Sequence, residues 1–337
     1  MLVLGIESSC DECSAAVVED GRRILSNEIA TQIEIHKAYD GVVPEIASRT
    51  HTEWISGVVD NALKDAGLKI ADIDGIAVTN RPGLIGSLMV GLSFAKGLSL
   101  SAGKPFVGVD HIMAHLYASR LEKEVEYPYL GLLVSGGHTI ISIVRGFDQI
   151  EVLGTTIDDA CGEAYDKVAK HYGFGYPGGA VIDTMAMKGD SASFNFPDPS
   201  LHKGEHRYDV SYSGLKTAVI NQLDQFHVEG YDKTPENIAA AFQKAAINML
   251  TKRLFKAVAD TGINKIVAGG GVAANSYLRE SLKAKSNIEV TFPSMILCTD
   301  NAAMIAGLGY HYLKRGDRGS LSLNAGSRVP GFKKTYP

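Results

Sequence analysis

Two stretches of the chain share one order of apolar and polar positions. Each begins with an apolar run containing Leu-Gly, reaches a turn of small residues with a serine, and returns as a second apolar run. They are LVLGIESSCDECSAAVVEDG (residues 2–21) and YLGLLVSGGHTIISIVRG (residues 129–146). Both patterns predict β-hairpins with tight polar turns. A hairpin near the start of each half indicates two similar lobes, although any two hairpins share this outline.

Between and after the hairpins, helix and strand patterns alternate. Helices are predicted from Pro44 past Leu63, over 84–101, from the Thr234-Pro235 cap onward, after the Gly269–Gly271 loop, and over 299–316 with Asp300 as N-cap. Short strands are predicted at GIAVTN (75–80), PFVGVD (105–110), KIVAG (265–269) and IEVTFP (288–293). Such alternation predicts an α/β protein with mostly buried sheets.

Composition adds few constraints. The chain has 337 residues, 45% of them hydrophobic and 21% charged, which suits a globular protein with two cores. A net charge of −5 argues against a protein that grips nucleic acid over its whole surface and leaves a local basic patch open. The short basic groups Lys252-Arg253 and Lys314-Arg315 are interpreted as solvated helix faces.

Cysteine usage and apolar runs indicate a cytoplasmic protein. Four cysteines in so long a chain argue for a reducing compartment. The N-terminus shows no signal-peptide pattern. The apolar stretch 84–103 carries Lys96 and several Gly and Ser residues, so it is interpreted as a buried helix rather than a membrane span. The lone pair Cys10-x-x-Cys13 is interpreted as two small side chains in a turn, with a redox role as the weaker alternative.

A metal site is predicted at VDHIMAHLYA (109–118). On a helix, His111 and His115 lie one turn apart on one face, and Asp300 can supply a third ligand. Two nitrogens and one oxygen leave open positions on zinc or ferrous iron. A metalloprotease would place a glutamate where Ile112 stands. The alternative is a pair of histidines that serve only as buried polar groups.

Three glycine-containing loops suit a nucleotide. They are Ser135–Thr139, Tyr176–Gly179 with Asp183 shortly after, and Gly269–Gly271 with Asn275 at the following helix. Glycine lets backbone N–H groups approach an anion, and an asparagine amide can bind a base or a hydroxyl. The chain contains no Walker A motif, and no loop fits the dinucleotide fingerprint well. Asp166 and Glu163, on a predicted helix, are either ribose ligands or part of a charged face.

Ten ordered motifs together resemble one known family. They are GIESSCDEC, HKAYDGVVPEIASRTH, RPGLIGSLMVG, VDHIMAHLYA, LLVSGGHT, GEAYDKVAK, YPGG, SYSGLKTAV, AGGGVAAN and CTDNAAMIA. They occur in the order seen in the bacterial tRNA threonylcarbamoyladenosine transferases, the TsaD family, formerly called O-sialoglycoprotein endopeptidases. The resemblance covers nearly the whole chain.

The resemblance implies an actin/Hsp70-like ATPase fold with two ribonuclease-H-like lobes around a cleft. The expected lobes are residues 1–125, with a C-terminal helix at about 300–327 packing back, and residues 126–299. The residues that match functional positions of the family fall into three sets. The metal ligands are His111, His115 and Asp300; the nucleotide contacts are Val134, Ser135, Gly136, Gly137, His138, Asp166, Gly179, Asp183 and Asn275; the acidic pair is Asp11 and Glu12.

Two positions depart from the family pattern. Cys13 stands where a threonine is usual, a small-for-small change that we expect to be tolerated. Arg81 stands where a glycine usually precedes Pro-Gly-Leu, and it either alters the loop or adds a contact to phosphate or RNA. Neither change removes a predicted ligand.

The implied reaction transfers threonylcarbamoyl from its adenylate to N6 of adenosine 37 in tRNAs that read codons beginning with A. Asp11 is the favoured proton acceptor, with Glu12 second. The implied cofactor is one Fe²⁺ or Zn²⁺ ion, and ATP or ADP binding stays open. The implied partners are the tRNA anticodon loop, an inactive paralogue (TsaB-type) as heterodimer partner, and a small P-loop ATPase (TsaE-type), with no membrane.

Competing functions are weighed on the same residues. A metallopeptidase lacks a glutamate at Ile112. A small-molecule kinase of the same fold would want oxygen ligands for Mg²⁺ in place of two histidines. A non-catalytic nucleotide-binding regulator would not need metal ligands and an acidic pair together.

Overall fold

The computed structural model describes residues 1–198 and 204–328. The strands are β1 (Leu2–Glu7), β2 (Glu12–Glu19), β3 (Arg23–Thr31), β4 (Gly75–Arg81), β5 (Phe106–Asp110), β6 (Tyr129–Val134), β7 (Thr139–Gly146), β8 (Gln149–Thr155), β9 (Lys265–Gly269) and β10 (Glu289–Thr291). The α-helices are α1 (Ile33–Lys37), α2 (Pro44–Asp65), α3 (Ile85–Ala102), α4 (His111–Ala118), α5 (Cys161–Tyr172), α6 (Gly178–Ala186), α7 (Ser213–Asn221), α8 (Leu223–Phe226), α9 (Pro235–Thr261), α10 (Ser276–Lys283), α11 (Met295–Cys298) and α12 (Ala302–Arg315).

The strands form two five-stranded sheets with the same connectivity. Sheet 1 has the order β3-β2-β1-β4-β5, and sheet 2 has the equivalent order β8-β7-β6-β9-β10. In each sheet the first three strands along the chain are antiparallel and the last two run parallel to the first. The two predicted hairpins, β1–β2 and β6–β7, are therefore confirmed as the start of a duplicated α/β unit.

Contacts divide the chain into two compact units. Of the described residues, 1–125 and 293–328 form unit 1, and 126–198 and 204–292 form unit 2. Unit 1 contains sheet 1, α1–α4, α11 and α12, whereas unit 2 contains sheet 2 and α5–α10. Each unit has its own mixed sheet covered by helices, so the predicted α/β class is confirmed.

Strand β1 is buried on both faces at the centre of sheet 1. Leu4 and Ile6 belong to a hydrophobic cluster that includes residues of α2 and α3. On the opposite face Gly5 meets α12 so closely that a Cβ there would lie 2.2 Å from the carbonyl oxygen of Ala302. Side chains of a strand alternate between faces, so both helix layers use β1 as their support. This packing fixes the start of α12 beside the carboxyl end of β1.

Helix α3 differs from its prediction as a buried helix. Only 28% of the residues of α3 are buried. They are Ser87, Leu88, Gly91, Leu92 and Ala95. Ile85, Met89 and Leu100 are 49%, 56% and 65% exposed. By length and composition alone, α3 could also cross a membrane. The prediction was wrong for the outer face because a helix at the edge of unit 1 has a partner on one side only.

In unit 2 the longest helix begins as predicted. The Thr234 side chain accepts the backbone N–H of Asn237, and Pro235 occupies the first helical position of α9. Helices α6, α7 and α10 pack against α9, and β6 is buried along its whole length. Unit 2 therefore has a helical layer built around α9 and a central strand, β6, that is fully buried.

Candidate functional site

The predicted metal ligands meet in unit 1. The Asp110 carboxylate ends β5 and caps α4 by accepting the N–H groups of Ile112 and Met113. His111 and His115 then lie on one face of α4, with their Nε2 atoms 3.1 Å apart. Asp300 Oδ1 lies 3.0 Å from Nε2 of His115 and 3.4 Å from Nε2 of His111. Residues 185 or more positions apart in sequence thus converge at one point.

Asp300 itself does not have the structural role assigned to it. The N-cap of α12 is Asn301, whose side chain accepts the N–H of Met304. A cap side chain folds back onto its own helix, and this frees the Asp300 carboxylate to turn toward the histidines. The N-cap prediction was wrong by one residue, whereas the predicted proximity to His111 and His115 is found.

His111 is oriented by a buried carboxylate that the sequence analysis missed. Its Nδ1 lies 2.9 Å from Oε2 of the fully buried Glu7 and 3.2 Å from Oγ of Ser9. Glu7 also accepts the Thr79 hydroxyl and the N–H of Ser9 at 2.6 Å each. The sequence offered one signal for Glu7, which is the single carboxylate in an otherwise apolar strand. By contrast, Nδ1 of His115 is buried without a hydrogen-bond partner among the described residues.

The donor atoms fit a divalent cation. With Nδ1–H given to Glu7, a neutral His111 directs its Nε2 lone pair at Nε2 of His115 and at the Asp300 carboxylate. Three electron pairs pointed at each other repel unless a proton or a cation lies between them. The donor atoms all lie within 4.8 Å of one another, and two imidazoles with one carboxylate suit zinc or ferrous iron.

Charge coupling around this cluster shifts several pKa values. Burial opposes charge on His111, but the Asp300 and Glu7 carboxylates outweigh it and hold the His111 pKa well above its usual value. Burial, together with the nearby charge of His111, lowers the pKa of His115. The pKa of Asp300 is lowered, since His111 and His115 outweigh the effect of burial. Without a metal ion, the positive charge of this cluster therefore lies on His111, between the Glu7 and Asp300 carboxylates.

The acidic pair lies in the same unit, at the β1–β2 turn. Asp11 is buried and Glu12 begins β2. Burial, followed by the Asp300 and Asp11 carboxylates, raises the Glu12 pKa well above its ordinary value. A carboxylate whose pKa is raised holds a proton more readily near neutral pH, which suits acid–base chemistry.

The two departures from the family pattern have structural explanations. Cys13 is buried in the hydrophobic cluster of unit 1, and burial raises its pKa to about 12, so its thiol stays protonated. Arg81 is half-exposed, and its Nε lies 3.4 Å from Oδ2 of Asp110, the residue that caps α4. Arg81 therefore contacts the capping residue of the helix that carries both histidines.

The predicted phosphate loop lies at the β6–β7 turn of unit 2. Ser135 and His138 close the turn through two hydrogen bonds: the Ser135 N–H donates to the His138 carbonyl at 2.8 Å, and the His138 N–H donates to the side-chain Oγ of Ser135 at 3.1 Å. Gly136 and Gly137 at its tip are exposed. A Cβ on Gly162, in the first turn of α5, would lie 2.8 Å from Gly136. The exposed turn thus rests on a helix N-terminus, where anions bind favourably.

Asp166 is held against the start of α6. Its Oδ1 accepts the N–H of Gly178 at 2.8 Å, and a Cβ on Gly178 would lie 2.7 Å from the Asp166 backbone. A Cβ on Gly179 would meet no atom within 4 Å, so this glycine borders open space. Glu163 accepts the N–H of Ala160 at the start of α5, which matches the interpretation as part of the helix surface.

Asp183 and Asn275 belong to one hydrogen-bonded network. Asp183 accepts the amide of Asn275 at 3.1 Å and the hydroxyl of Ser276 at 2.7 Å. The Asn275 amide also donates to Gln243 at 2.8 Å, and its oxygen caps α10 through the N–H of Leu278. Asn275 is therefore an N-cap rather than a first-turn residue. Gln243 and Ser276 were missed, because their role depends on contacts distant in sequence.

Comparison with known proteins identifies close relatives. The family model described as TsaD, tRNA N6-adenosine threonylcarbamoyltransferase, matches residues 23–307. A protein of that name from Treponema denticola is 65% identical over 99% of both chains. Another of that name, from Borreliella burgdorferi, is 55% identical over 100% of this chain and 96% of its own.

Solved structures support the fold alone. Component A of the Acidaminococcus fermentans (R)-2-hydroxyglutaryl-CoA dehydratase is 16% identical, with a TM-score of 0.55 over 93% of this chain and 99% of its own. Full-length HypF is 15% identical, with a TM-score of 0.61 over 95% of this chain and 47% of its own. Together with the duplicated sheets, they confirm the actin/Hsp70-like ATPase fold.

Proposed function

Since the chain belongs to the family of tRNA N6-adenosine threonylcarbamoyltransferases, we propose that it transfers threonylcarbamoyl from threonylcarbamoyl-AMP to N6 of adenosine 37 in tRNAs that read codons beginning with A. The observation that carries this proposal is 65% identity to a transferase of this name over 99% of the chain. The convergence of His111, His115 and Asp300 supports it.

Unit 2 supplies the groups for the adenylate. The exposed tip at Gly136 and Gly137 offers backbone N–H groups to phosphate, next to the N-terminus of α5. Asp166 and Asp183 supply carboxylate oxygens for ribose hydroxyls, and Gly179 leaves room for the nucleoside. Asn275, whose amide donates to Gln243, binds the base side of the adenosine. These roles keep the donor in one orientation for attack.

Unit 1 supplies the metal ligands and the acid–base groups. His111, His115 and Asp300 would hold one Fe²⁺ or Zn²⁺ ion, with Glu7 fixing the tautomer of His111. Such an ion, when bound, supplies Lewis-acid stabilisation of negative charge on the donor oxygens. Asp11 accepts the proton that the N6 amine loses as it attacks the carbamoyl carbon and AMP leaves, and Glu12 is the second candidate.

The two alternatives, a metallopeptidase and a small-molecule kinase, are not favoured. The position of a peptidase glutamate is taken by Ile112, whose side chain is fully buried. A kinase Mg²⁺ site would need oxygen ligands, whereas two of the three donors here are imidazoles. The regulator alternative fails to explain why Glu12, with its raised pKa, lies near the metal ligands.

The partners follow from the same reaction. The acceptor is the anticodon loop of tRNA, which locates the protein in the cytoplasm. An inactive paralogue of the same fold forms a heterodimer with this chain, and a small P-loop ATPase acts with the pair. The exposed apolar face of α3, which borders a groove lined by Ile55, Met89, Val90 and Phe94, supports a protein partner at unit 1.

The test is reconstitution of the modification. The purified chain, unmodified tRNA, the adenylate-forming enzyme, threonine, bicarbonate, ATP and both partners are mixed, and the digested nucleosides are identified by mass spectrometry. We expect threonylcarbamoyladenosine with the intact chain. With His111→Ala the rate of modification should fall 100-fold or more, which corresponds to about 3 kcal/mol. His206→Ala, in unit 2, is the matched control. No modified nucleoside despite confirmed adenylate would refute the proposal.

A further inference from the structure

A fully buried polar cluster lies behind the turn that carries the acidic pair. Its members are Gln32, His36 and His51, all buried in unit 1. His36 and His51 are the first and last residues of the motif HKAYDGVVPEIASRTH, to which no role has been assigned so far. Gln32 and His36 lie at the start of α1 and within it, and His51 lies on α2. Buried polar side chains cost stability unless they are hydrogen-bonded, so their contacts indicate their use.

Two of these residues hold consecutive carbonyl groups of the turn. The His51 Nε2–H donates to the carbonyl of Cys10 at 2.9 Å. The backbone N–H of Gln32 donates to the carbonyl of Asp11 at 3.1 Å. Asp11 lies between these anchors and Glu12 follows directly, so the two bonds determine where both carboxylates project.

The hydrogen bonds assign one tautomer to each histidine. His36 Nδ1 accepts the N–H of Val43 at 3.3 Å, so its proton is on Nε2. His51 donates through Nε2, so its Nδ1 carries a lone pair. His36 Nε2 and His51 Nδ1 have no partner among the described residues, and neither has Gln32 Oε1. These three atoms comprise one donor and two acceptors, all of them buried.

Core packing alone does not explain this arrangement. An apolar residue at His51 would fill the same space without a buried polar atom, and the buried nitrogen costs free energy. Burial lowers the pKa of His51, so the ring is neutral at physiological pH and keeps one donor and one acceptor nitrogen. Position 51 therefore carries a directional donor aimed at the turn.

We propose that His51 is a positioning residue, whose Nε2–H holds the Cys10 carbonyl and thereby places Asp11 and Glu12 for proton transfer. The inference rests on the proposed function for its effect on catalysis. The contact itself is independent of that function, because it concerns only the conformation of the turn.

Two amide variants test the proposal. The Nε2 of His51→Gln can reach the Cys10 carbonyl, whereas the shorter side chain of His51→Asn cannot. Both amides are polar and buried alike, so a general loss of stability affects them similarly. We expect His51→Asn to lower kcat about 100-fold, the scale of a 1 Å misplacement, with donor KM and bound metal unchanged. His51→Gln should restore kcat to within about threefold of the wild type.

A second readout does not depend on the reaction. Cys10 is partly exposed, whereas the other three cysteines are buried. We expect Cys10 of His51→Asn to be alkylated about fivefold faster than in the wild type, the factor expected from losing one hydrogen bond. His51→Gln should react at the wild-type rate. His311→Leu, which removes an imidazole bonded to Tyr117 elsewhere in unit 1, is the control for general loosening.

The outcomes separate the two claims. Equal Cys10 alkylation rates in His51→Asn and His51→Gln would overturn the positioning role, whatever the activity. A fall of kcat that is the same for both variants, or a rise in donor KM, would also overturn it. A wild-type chain that forms no product, with confirmed donor, contradicts the proposed function, and the alkylation rates still decide the role of His51.

Discussion

At the scale of single residues, the geometry of the candidate site depends on the side chains that orient the predicted metal ligands. The spacing of His111 and His115 was sufficient to predict that they share a face, because a helix repeats every 3.6 residues. The contact of Glu7 with His111 could not be predicted, since the two residues are 104 positions apart and sequence spacing carries no information over that distance. Asp300 was predicted both as a metal ligand and as the N-cap of α12, but its neighbour Asn301 is the residue that caps α12.

Removing the charge of Glu7 should weaken metal binding. In Glu7→Gln the Nδ1–H of His111 loses its carboxylate partner. The Nε2 atom of the imidazole then donates its electron pair to a metal ion less strongly. We expect the affinity for Zn²⁺, measured by competition with a chelator, to fall by about 10-fold to 100-fold. Glu19→Gln, at an exposed ion pair with Arg23, is the control and should bind Zn²⁺ like the wild type. Equal affinity in Glu7→Gln and the wild type would show that Glu7 does not support His111.

His311 should make stability depend on pH. Burial, with the positive charges of Arg120 and Lys314, lowers its pKa from 6.5 to about 4. Between these values the unfolded chain binds more protons than the folded chain, so the free energy of unfolding rises with pH. The contribution of neutral His311 is complete above pH 6.5 and is lost as pH falls toward 4.

Urea unfolding at several pH values, compared with His311→Gln, measures this contribution. The difference in unfolding free energy between wild type and variant should shrink as pH is lowered across this window. A difference that stays constant with pH would mean that the imidazole titrates normally in the folded chain.

At the scale of elements, the close approach between β1 and α12 positions Asp300, one of the predicted metal ligands. In Gly5→Ala the added Cβ would lie 2.2 Å from the Ala302 carbonyl, and backbone cannot move aside cheaply. We expect a loss of roughly 3 kcal/mol of stability by thermal or urea unfolding. Metal affinity should fall as well, since α12 follows Asp300 directly.

Gly57→Ala is the matched control for that substitution. Gly57 lies on α2, and a Cβ there would meet nothing within 4 Å. Alanine at an exposed position inside a helix should raise stability by about 0.5–1 kcal/mol. If both alanine variants changed stability alike, the close packing of α12 on β1 would be wrong.

Elements with a clear apolar period were predictable, and two half-exposed edge strands were not. The hairpins, α2, α9 and α12 follow from periodicity and caps that a short window contains. Strands β3 and β8 were not predicted, because each is an edge strand with many half-exposed residues and a weak alternation. The exposed face of α3 was mispredicted because an apolar pattern alone cannot tell which side a neighbour covers.

At the scale of the whole molecule, the exposed face of α3 should bind the heterodimer partner. A glutamate at Met89, which is 56% exposed beside the groove, would place a charge in an apolar interface. We expect Met89→Glu to weaken association with the paralogue at least tenfold by analytical ultracentrifugation, as loss of an interface anchor does. Met187→Glu, at a 69% exposed residue of unit 2, is the control. Equal weakening by both variants would exclude α3 as the specific surface.

The duplicated topology gives the two units equivalent turns with different residues. Unit 1 carries the predicted acidic pair at the turn of its first hairpin, and unit 2 carries an exposed glycine turn at the equivalent place. The same turn position thus bears carboxylates in one unit and backbone donors in the other. We expect unit 1 to perform the chemistry and unit 2 to bind the adenylate.

Steady-state kinetics of tRNA modification, with threonylcarbamoyl-AMP as the varied substrate, tests this claim most directly. Asp11→Asn in unit 1 should lower kcat by about 100-fold or more and leave the KM for the donor within about twofold. Asp183→Asn in unit 2 should raise that KM about tenfold and leave kcat within about twofold. The reverse pattern, or equal effects on both constants in the two variants, would contradict the division of chemistry and binding between the units.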